Sequence, residues 1–240
     1  MFTNITHVYH SINYFKYIYL KSFPMDYAEK KSEYYTYPRY DMLRYVPQDI
    51  SKVLEIGCGN GVFIKLIKEN LKRDIESWGI ELMEEYAEEA RSIIDNVQVG
   101  KCEELIPNLP DNYFDLIIFN DVLEHLLDPK SVLMDLKGKL TNKGKIICSI
   151  PNMRYHENLF GLVFKSHWEY EDSGIMDFTH LKFYTHKSIK KLFSDSGYNI
   201  DHFEGISKTK SLKPYLFRLL LFFGGSDIFY KQFAVVASKR

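Results

Sequence analysis

Three glycines at alternate positions, in Val53-Leu54-Glu55-Ile56-Gly57-Cys58-Gly59-Asn60-Gly61, stand out first among residues whose spacing can do chemistry. Without side chains, Gly57, Gly59 and Gly61 let the backbone turn sharply, reach positive φ and approach a ligand closely. Amide groups at the start of a following helix can meet the carboxylate end of an amino acid. Spacing alone leaves the turn ambiguous, because dinucleotides are also held by G-x-G-x-x-G, and here the third glycine comes one residue early. Two further groups carry ionisable chemistry. Asp121, Glu124 and His125, if helical, share one face at i, i+3 and i+4 and can hold a divalent metal. His156, His167 and His180 follow Pro151, and imidazole is the natural side chain for moving a proton near neutral pH.

The elements that must position these residues are legible as alternating periods. Val53 to Ile56 is a short apolar run ended by glycines, a buried strand, and Val62 to Leu71 carries apolar residues at 63, 66, 67 and 71, a helical period. Trp78 to Glu81 ends a second strand. Met83, Tyr86, Ala87, Ala90, Ile93 and Ile94 then form an amphipathic stripe opposite Glu84, Glu85, Glu88, Glu89 and Arg91, a solvated face. Strands are expected at Val97–Val99, Phe114–Phe119 and Lys145–Ile150. A helix over 129–141 is opened by Asp128 as N-cap and Pro129 in its first turn. Residues 151–184 show little periodicity and are expected to form a loop-rich insertion. A helix over Lys187–Ser196 and strands at Tyr198–Phe203 and Phe233–Ala237 complete the chain. This alternation implies a mainly parallel sheet with helices on both faces. Residues 1–50, with Tyr34, Tyr35, Tyr37 and Arg39, read as an N-terminal lid or helical segment, and 51–240 as the main domain.

Bulk properties exclude several classes. The 240 residues carry 31 Lys+Arg against 32 Asp+Glu, a net charge of −1, so no broad surface for nucleic acid is expected. A hydrophobic fraction of 45% and a charged fraction of 26% suit a globular chain. Cys58, Cys102 and Cys148 form no C-x-x-C, which points to a reducing, cytoplasmic setting without disulfides or a zinc framework. No apolar stretch reaches the roughly 20 residues of a membrane span. The apolar run Leu212–Phe223, with Leu216, Leu219, Leu220 and Phe223 at helical spacing, is expected to pack on the core. Covering the acceptor, building a homodimer and resting on a membrane surface are the alternatives.

The glycine motif resembles the first motif of class I S-adenosylmethionine-dependent methyltransferases. Gly79-Ile80-Glu81-Leu82 is similar to the family's second-strand acid. Gly100-Lys101-Cys102-Glu103 stands where a G-D-A-E-like stretch meets adenine, with Cys102 in place of the commoner small residue. Phe114 to His125 resembles the fourth-strand motif. The resemblance implies a Rossmann-like α/β fold with a seven-stranded, mostly parallel sheet and an insertion after strand 5. It implies S-adenosylmethionine as cofactor, touched by Glu55, Gly57, Cys58, Gly59, Gly61, Glu81, Leu82, Cys102, Glu103, Asn120, Asp121 and Val122. Glu81 would accept from the ribose hydroxyls, since a carboxylate has two oxygens for a vicinal diol.

The segment Trp168 to Thr185 resembles one found in bacterial methyltransferases associated with glycosyltransferases and surface-polysaccharide assembly. On that basis the acceptor is a small or carbohydrate-like molecule, methylated at oxygen, with His180, His156 and Asp121 as catalytic candidates and no metal assigned. Two alternatives stay open. Asp121, Glu124 and His125, with His180, resemble the E-x-x-E-H pattern of metal-dependent small-RNA 2′-O-methyltransferases and ubiquinone-pathway O-methyltransferases. A module that binds the cofactor without catalysis is the other.

Overall fold

A computed structural model describes residues 37–220 and 225–240, apart from the side chains of Leu216 and Leu220. Tyr34, Tyr35 and Phe223 lie outside the described residues, as do those two side chains. The described residues belong to a unit running from Lys31 to Arg240.

Seven strands form one sheet: β1 (Lys52–Ile56), β2 (Glu76–Glu81), β3 (Asn96–Val99), β4 (Phe114–Asn120), β5 (Leu140–Pro151), β6 (Tyr198–Lys208) and β7 (Tyr230–Lys239). Their order is β3-β2-β1-β4-β5-β7-β6. β1 to β5 pair in parallel, whereas β7 is antiparallel to both β5 and β6. The order reverses between β1 and β4, where an open α/β sheet leaves a crevice for ligands at its carboxyl edge. Helices along the chain are α1 (Tyr40–Leu43), α2 (Val62–Leu71), α3 (Glu84–Ala90), α4 (Cys102–Leu105), α5 (Pro129–Lys137), α6 (His156–Lys165), α7 (His186–Asp195) and α8 (Lys213–Leu220).

The strand period of two divides the core into two layers. Along β4, Ile117 and Phe119 join the layer holding Val132, Leu133 and Leu136 of α5 and Ile189 and Phe193 of α7. Leu116 and Ile118 join the layer holding Phe63, Ile64 and Ile67 of α2. All four of these β4 side chains are fully buried, and such burial contributes about 1.5–3 kcal/mol each. Met42 of α1, Val46 and Ile50 pack into the second layer.

Several boundaries differ from expectation. The helix opened by Asp128, whose side chain accepts from Ser131 N at 3.1 Å, ends at Lys137, because Gly138 and Lys139 turn the chain into β5. β5 starts earlier than its apolar stretch, at Leu140, which pairs with Phe114 of β4, and β6 runs longer because its pairing with β7 continues to Lys208. Residues 151–184 are less loop-rich than expected, for they contain α6. Its apolar residues Leu159, Phe160, Leu162, Val163 and Phe164 are interrupted by Gly161, a poor helix former, and no side-chain cap opens the helix, so it is weakly marked in the sequence. Phe160 and Phe164 stack 5.2 Å apart, and Phe164 meets Phe217 of α8 at 5.6 Å.

Candidate active site

The carboxyl edge of the sheet lines up the residues that can do chemistry. Ile56 is level with Ile80 on β2 and with Phe119 on β4, and Asn120 with Ser149 on β5. Gly57, Gly59 and Gly61 follow β1, all at positive φ (71°, 52° and 82°). Gly57 N donates to Ile80 O at 2.7 Å, which ties the turn to β2. At Gly57 the missing side chain is a steric requirement as well. An added Cβ would stand 2.6 Å from Val122 Cγ2. Gly57→Ala is therefore expected to lower the melting temperature by about 3–8 °C, from a left-handed penalty of about 1–2 kcal/mol plus the displaced Val122. Thermal unfolding checks this, and an unchanged midpoint would contradict the contact.

Glu81 closes the turn from the other side. Its Oε2 accepts from Gly59 N at 2.8 Å, and its Oε1 from Leu82 N at 2.8 Å and Met83 N at 3.0 Å. Burial raises its pKa, and these three bonds pull the other way. Cys58 is buried beneath the turn, and its thiol is pushed up by burial and by the nearby Glu55 carboxyl, which makes it inert packing. Cys102, buried at the start of α4, lies 3.4 Å from Glu103 Oε2, and its thiol is also raised by burial.

Glu55 and Asn120 form a polar pair between β1 and β4. Asn120 Nδ2 donates to Glu55 Oε1 at 3.1 Å, while Glu55 Oε2 and Asn120 Oδ1 are buried with no hydrogen-bond partner among the described residues. Burial pushes Glu55 up to about 8, against the bond from Asn120. Two orphaned acceptors side by side suit an ammonium group, which brings donors and no acceptor. Glu81 and this pair offer acceptors for a diol and for an amine, donor groups that an amino-acid nucleoside carries.

Asp121 sits at φ 55°, an unusual conformation for a residue with a side chain. Its Oδ1 accepts from Ser149 Oγ and Gln232 Nε2, both at 2.9 Å, and its Oδ2 pairs with the buried Arg39. Arg39 also donates to Ser149 Oγ at 2.9 Å and Gln232 Oε1 at 3.1 Å. Arg39 lies 82 positions from Asp121, so its tie across β4, β5 and β7 has no local signal.

Residues after Asp121 make tight turns, so Asp121, Glu124 and His125 do not share a helical face. The fold instead gathers Glu124, His125 and His180, with one ligating atom of each within 4.8 Å of the others. Glu124 is 1% exposed, neither carboxyl oxygen has a hydrogen-bond partner among the described residues, and burial raises its pKa far above normal. His125 Nδ1 is 3.2 Å from Thr179 O, and His180 Nδ1 is 3.0 Å from Ile175 O. Carbonyls only accept, so both rings carry the proton on Nδ1 and the lone pair on Nε2. His180 Nε2 lies 3.9 Å from Glu124 Oε1. His125 is pushed down to about 4 by burial and by His180, and is neutral at physiological pH. Asp177 and Thr179 support the group, Thr179 Oγ1 donating to Asp177 Oδ1 at 2.6 Å. Sequence reasoning passed over this pair although it lies beside His180. His156 is elsewhere: it is buried at the start of α6, 3.4 Å from Thr209 Oγ1 and stacked on Tyr155. His167 is half exposed, 3.8 Å from Glu169.

A seven-stranded sheet with this order and a glycine turn facing two strand-end acids defines a Rossmann-like class I methyltransferase fold. The profile of the family described as a methyltransferase domain matches residues 27–202, and the chain belongs to that family. The matched residues make up a methyltransferase domain. An S-adenosylmethionine-dependent methyltransferase from Archaeoglobus fulgidus superposes with a TM-score of 0.61 at 20% identity, over 93% of this chain and 99% of its own. A complex between the Haloferax volcanii Trm112 methyltransferase activator and a methyltransferase gives 0.59 at 15% identity, over 87% of this chain and 90% of that one. Among curated relatives, a ubiquinone biosynthesis O-methyltransferase of Idiomarina loihiensis is 30% identical over 121 residues, 48% of this chain and 49% of its own. An uncharacterized methyltransferase of Schizosaccharomyces pombe is 30% identical over 123 residues, 45% and 41%. The chain spans about half the length of the curated relatives it matches. No described helix is long and apolar enough to cross a membrane.

Proposed function

We propose that the chain transfers the methyl group of S-adenosylmethionine to an oxygen of a small or carbohydrate-like acceptor, with His180 receiving the acceptor's proton. The observation that carries this reading is the buried Glu124–His180 contact at the carboxyl edge, beyond the Glu55–Asn120 pair. Likeness over half the chain to a ubiquinone biosynthesis O-methyltransferase supports oxygen as the acceptor atom. The cofactor supplies an electrophilic methyl on a sulfonium. On transfer to the acceptor oxygen the cofactor would leave as a neutral thioether, and His180 Nε2 would take up the hydroxyl proton. His180 is held for this by Ile175 O, and Asp121 is kept in place by Arg39, Ser149 and Gln232. Glu81 is assigned to the ribose and Glu55 and Asn120 to the amino group, while the amides of Gly57, Gly59 and Gly61 already donate within the protein, to Ile80 O, Glu81 Oε2 and Cys58 O. Leu82, Cys102, Glu103 and Val122 would border the adenosine. Three free cysteines suit a reducing, cytoplasmic setting.

Isotope transfer from labelled cofactor into sugars, sugar phosphates and phenols tests the reading. His180→Ala is expected to keep affinity for S-adenosylhomocysteine while turnover falls by about 10²–10⁴-fold. Unaltered turnover would remove His180 from this role. Tight cofactor binding with no acceptor ever labelled would favour a binding module instead.

A second reading is favoured by the ligand set itself. Glu124, His125 and His180 each offer one potential ligand atom within 4.8 Å of the others, and each ring meets a backbone carbonyl through Nδ1, as metal-ligating histidines usually do. A divalent cation there would ionise Glu124 and polarise an acceptor hydroxyl. Full activity in excess chelator would end this version, and activity restored by added Mg²⁺ or Zn²⁺ would establish it.

A further inference from the structure

Past β5 the carboxyl edge continues to β7 and β6, where a cavity of about 440 Å³ opens beside the start of α7. Its floor is aromatic. Phe203 of β6 and Phe233 of β7 lie with ring centroids 5.0 Å apart. Tyr230 closes one wall, its ring lying so near Gly205 that any side chain there would strike it.

The rim is cationic. Arg154 comes from the turn after β5, and Lys187 and Lys190 stand one turn apart on α7. One carboxylate, Asp227, faces them, 2.7 Å from Arg154 Nε and 3.5 Å from His186 Nδ1. Neither lysine pairs with a carboxylate among the described residues, although Lys190 Nζ lies 4.9 Å over the Phe203 ring. Three permanent cations against one carboxylate leave an excess of two positive charges, on a chain whose net charge is −1. A neutral acceptor has no use for that excess, whereas a phosphate ester or diphosphate matches it in sign and size.

The cavity is tied rigidly to the methyl-transfer side. Asn152, fully buried just beyond β5, donates through Nδ2 to Asp227 O and Tyr230 O, both at 2.9 Å. On the same strand Ser149 holds Asp121, and Gln232, which also holds Asp121, is the chain neighbour of Phe233.

We propose that this cavity anchors a phosphate-bearing part of the acceptor, with a sugar or nucleoside laid on its aromatic floor. The methylated molecule is then a sugar phosphate or a nucleotide-linked saccharide. Its status as acceptor rests on the methyl-transfer reading above, whereas its binding does not.

Calorimetry on the full chain with inorganic pyrophosphate, glucose 1-phosphate and UDP-glucose tests the site. Pyrophosphate is expected to bind, and the Lys187→Gln/Lys190→Gln double variant to bind it at least tenfold more weakly. Affinity for S-adenosylhomocysteine should be the same in both proteins, which also certifies that the variant is folded. Whichever of the two sugar compounds binds more tightly identifies the source of the phosphate. No binding of any of the three up to about 10 mM, or equal binding by the double variant, would overturn the proposal. Loss of S-adenosylhomocysteine binding in the unaltered chain would count against the methyl-transfer reading and leave the anion result standing.

Discussion

Glu81→Ala is expected to lower affinity for S-adenosylhomocysteine by about two to three orders of magnitude, and to destabilise the protein before any ligand is added. In the free protein the carboxylate accepts from Gly59 N, Leu82 N and Met83 N. Hydrogen bonds to a charged group are worth about 1.5–3 kcal/mol each, and backbone donors left unmet cost a similar amount. One of these donors belongs to the glycine turn, so its release loosens the peptide that must face the ligand. With Glu81 holding the ribose as proposed, a second loss is added. Oε2 has used one lone-pair site on Gly59 and keeps another for a hydroxyl, while a hydroxyl at Oε1 must compete with Leu82 and Met83. Glu81→Gln, which keeps one carbonyl oxygen, should fall between wild type and Ala. Titration calorimetry, with circular dichroism to establish folding, reads both. A folded Glu81→Ala protein with affinity within about threefold of wild type would take Glu81 out of the cofactor site.

The second large effect is expected at Glu55, and its sign differs between the free and loaded protein. Burial raises this carboxyl to about 8, so the free folded protein keeps its proton at neutral pH. Below about pH 4.5 the folded and unfolded chains both hold that proton, and Glu55 contributes nothing to pH dependence. Between about 4.5 and 8 the unfolded chain gives it up and the folded chain does not. Stability therefore falls as pH rises, by up to about 1.4 kcal/mol per unit and roughly 3–5 kcal/mol in total. Glu55→Gln removes this slope and should make the ligand-free protein the more stable of the two at pH 8. Binding changes the opposite way. An ammonium donating to Glu55 Oε2 and Asn120 Oδ1 needs the ionised carboxylate, so the variant should bind S-adenosylhomocysteine about 10–100-fold more weakly. Urea titrations from pH 5 to 8.5 and calorimetry at pH 8 measure the two effects. Parallel stability profiles for the two proteins would show that Glu55 is not held protonated.

Along a single chain, the parts that could be read were those written in local physics. A strand of apolar residues, a glycine turn needing positive φ and a helix with buried Phe63, Ile64 and Ile67 are set by neighbours within a few positions. So is Glu81 at the end of β2, because strand and turn signals locate it directly. Register then places Glu55, Glu81 and Asn120 on one edge, since parallel strands ended by turns finish level with one another.

Contacts between distant segments were beyond such a reading. His125 meets Thr179 across 54 positions and Arg39 meets Asp121 across 82, and neither partner carries a periodic mark of the other. The loop ending in His180 finds Glu124 only because Leu181 N and Lys182 N both donate to Glu124 O, at 2.9 Å each. α6 is hard to read because Gly161 interrupts it and no side-chain cap of the kind Asp128 gives α5 marks its start. The basic cavity is assembled from the ends of β5 and β7, from β6 and from the first turn of α7, residues that are ordinary surface lysines, arginines and rings until the antiparallel β7 brings them together. Short-range stereochemistry decided the glycine turn, while burial and strand order decided which side chains gather beyond it.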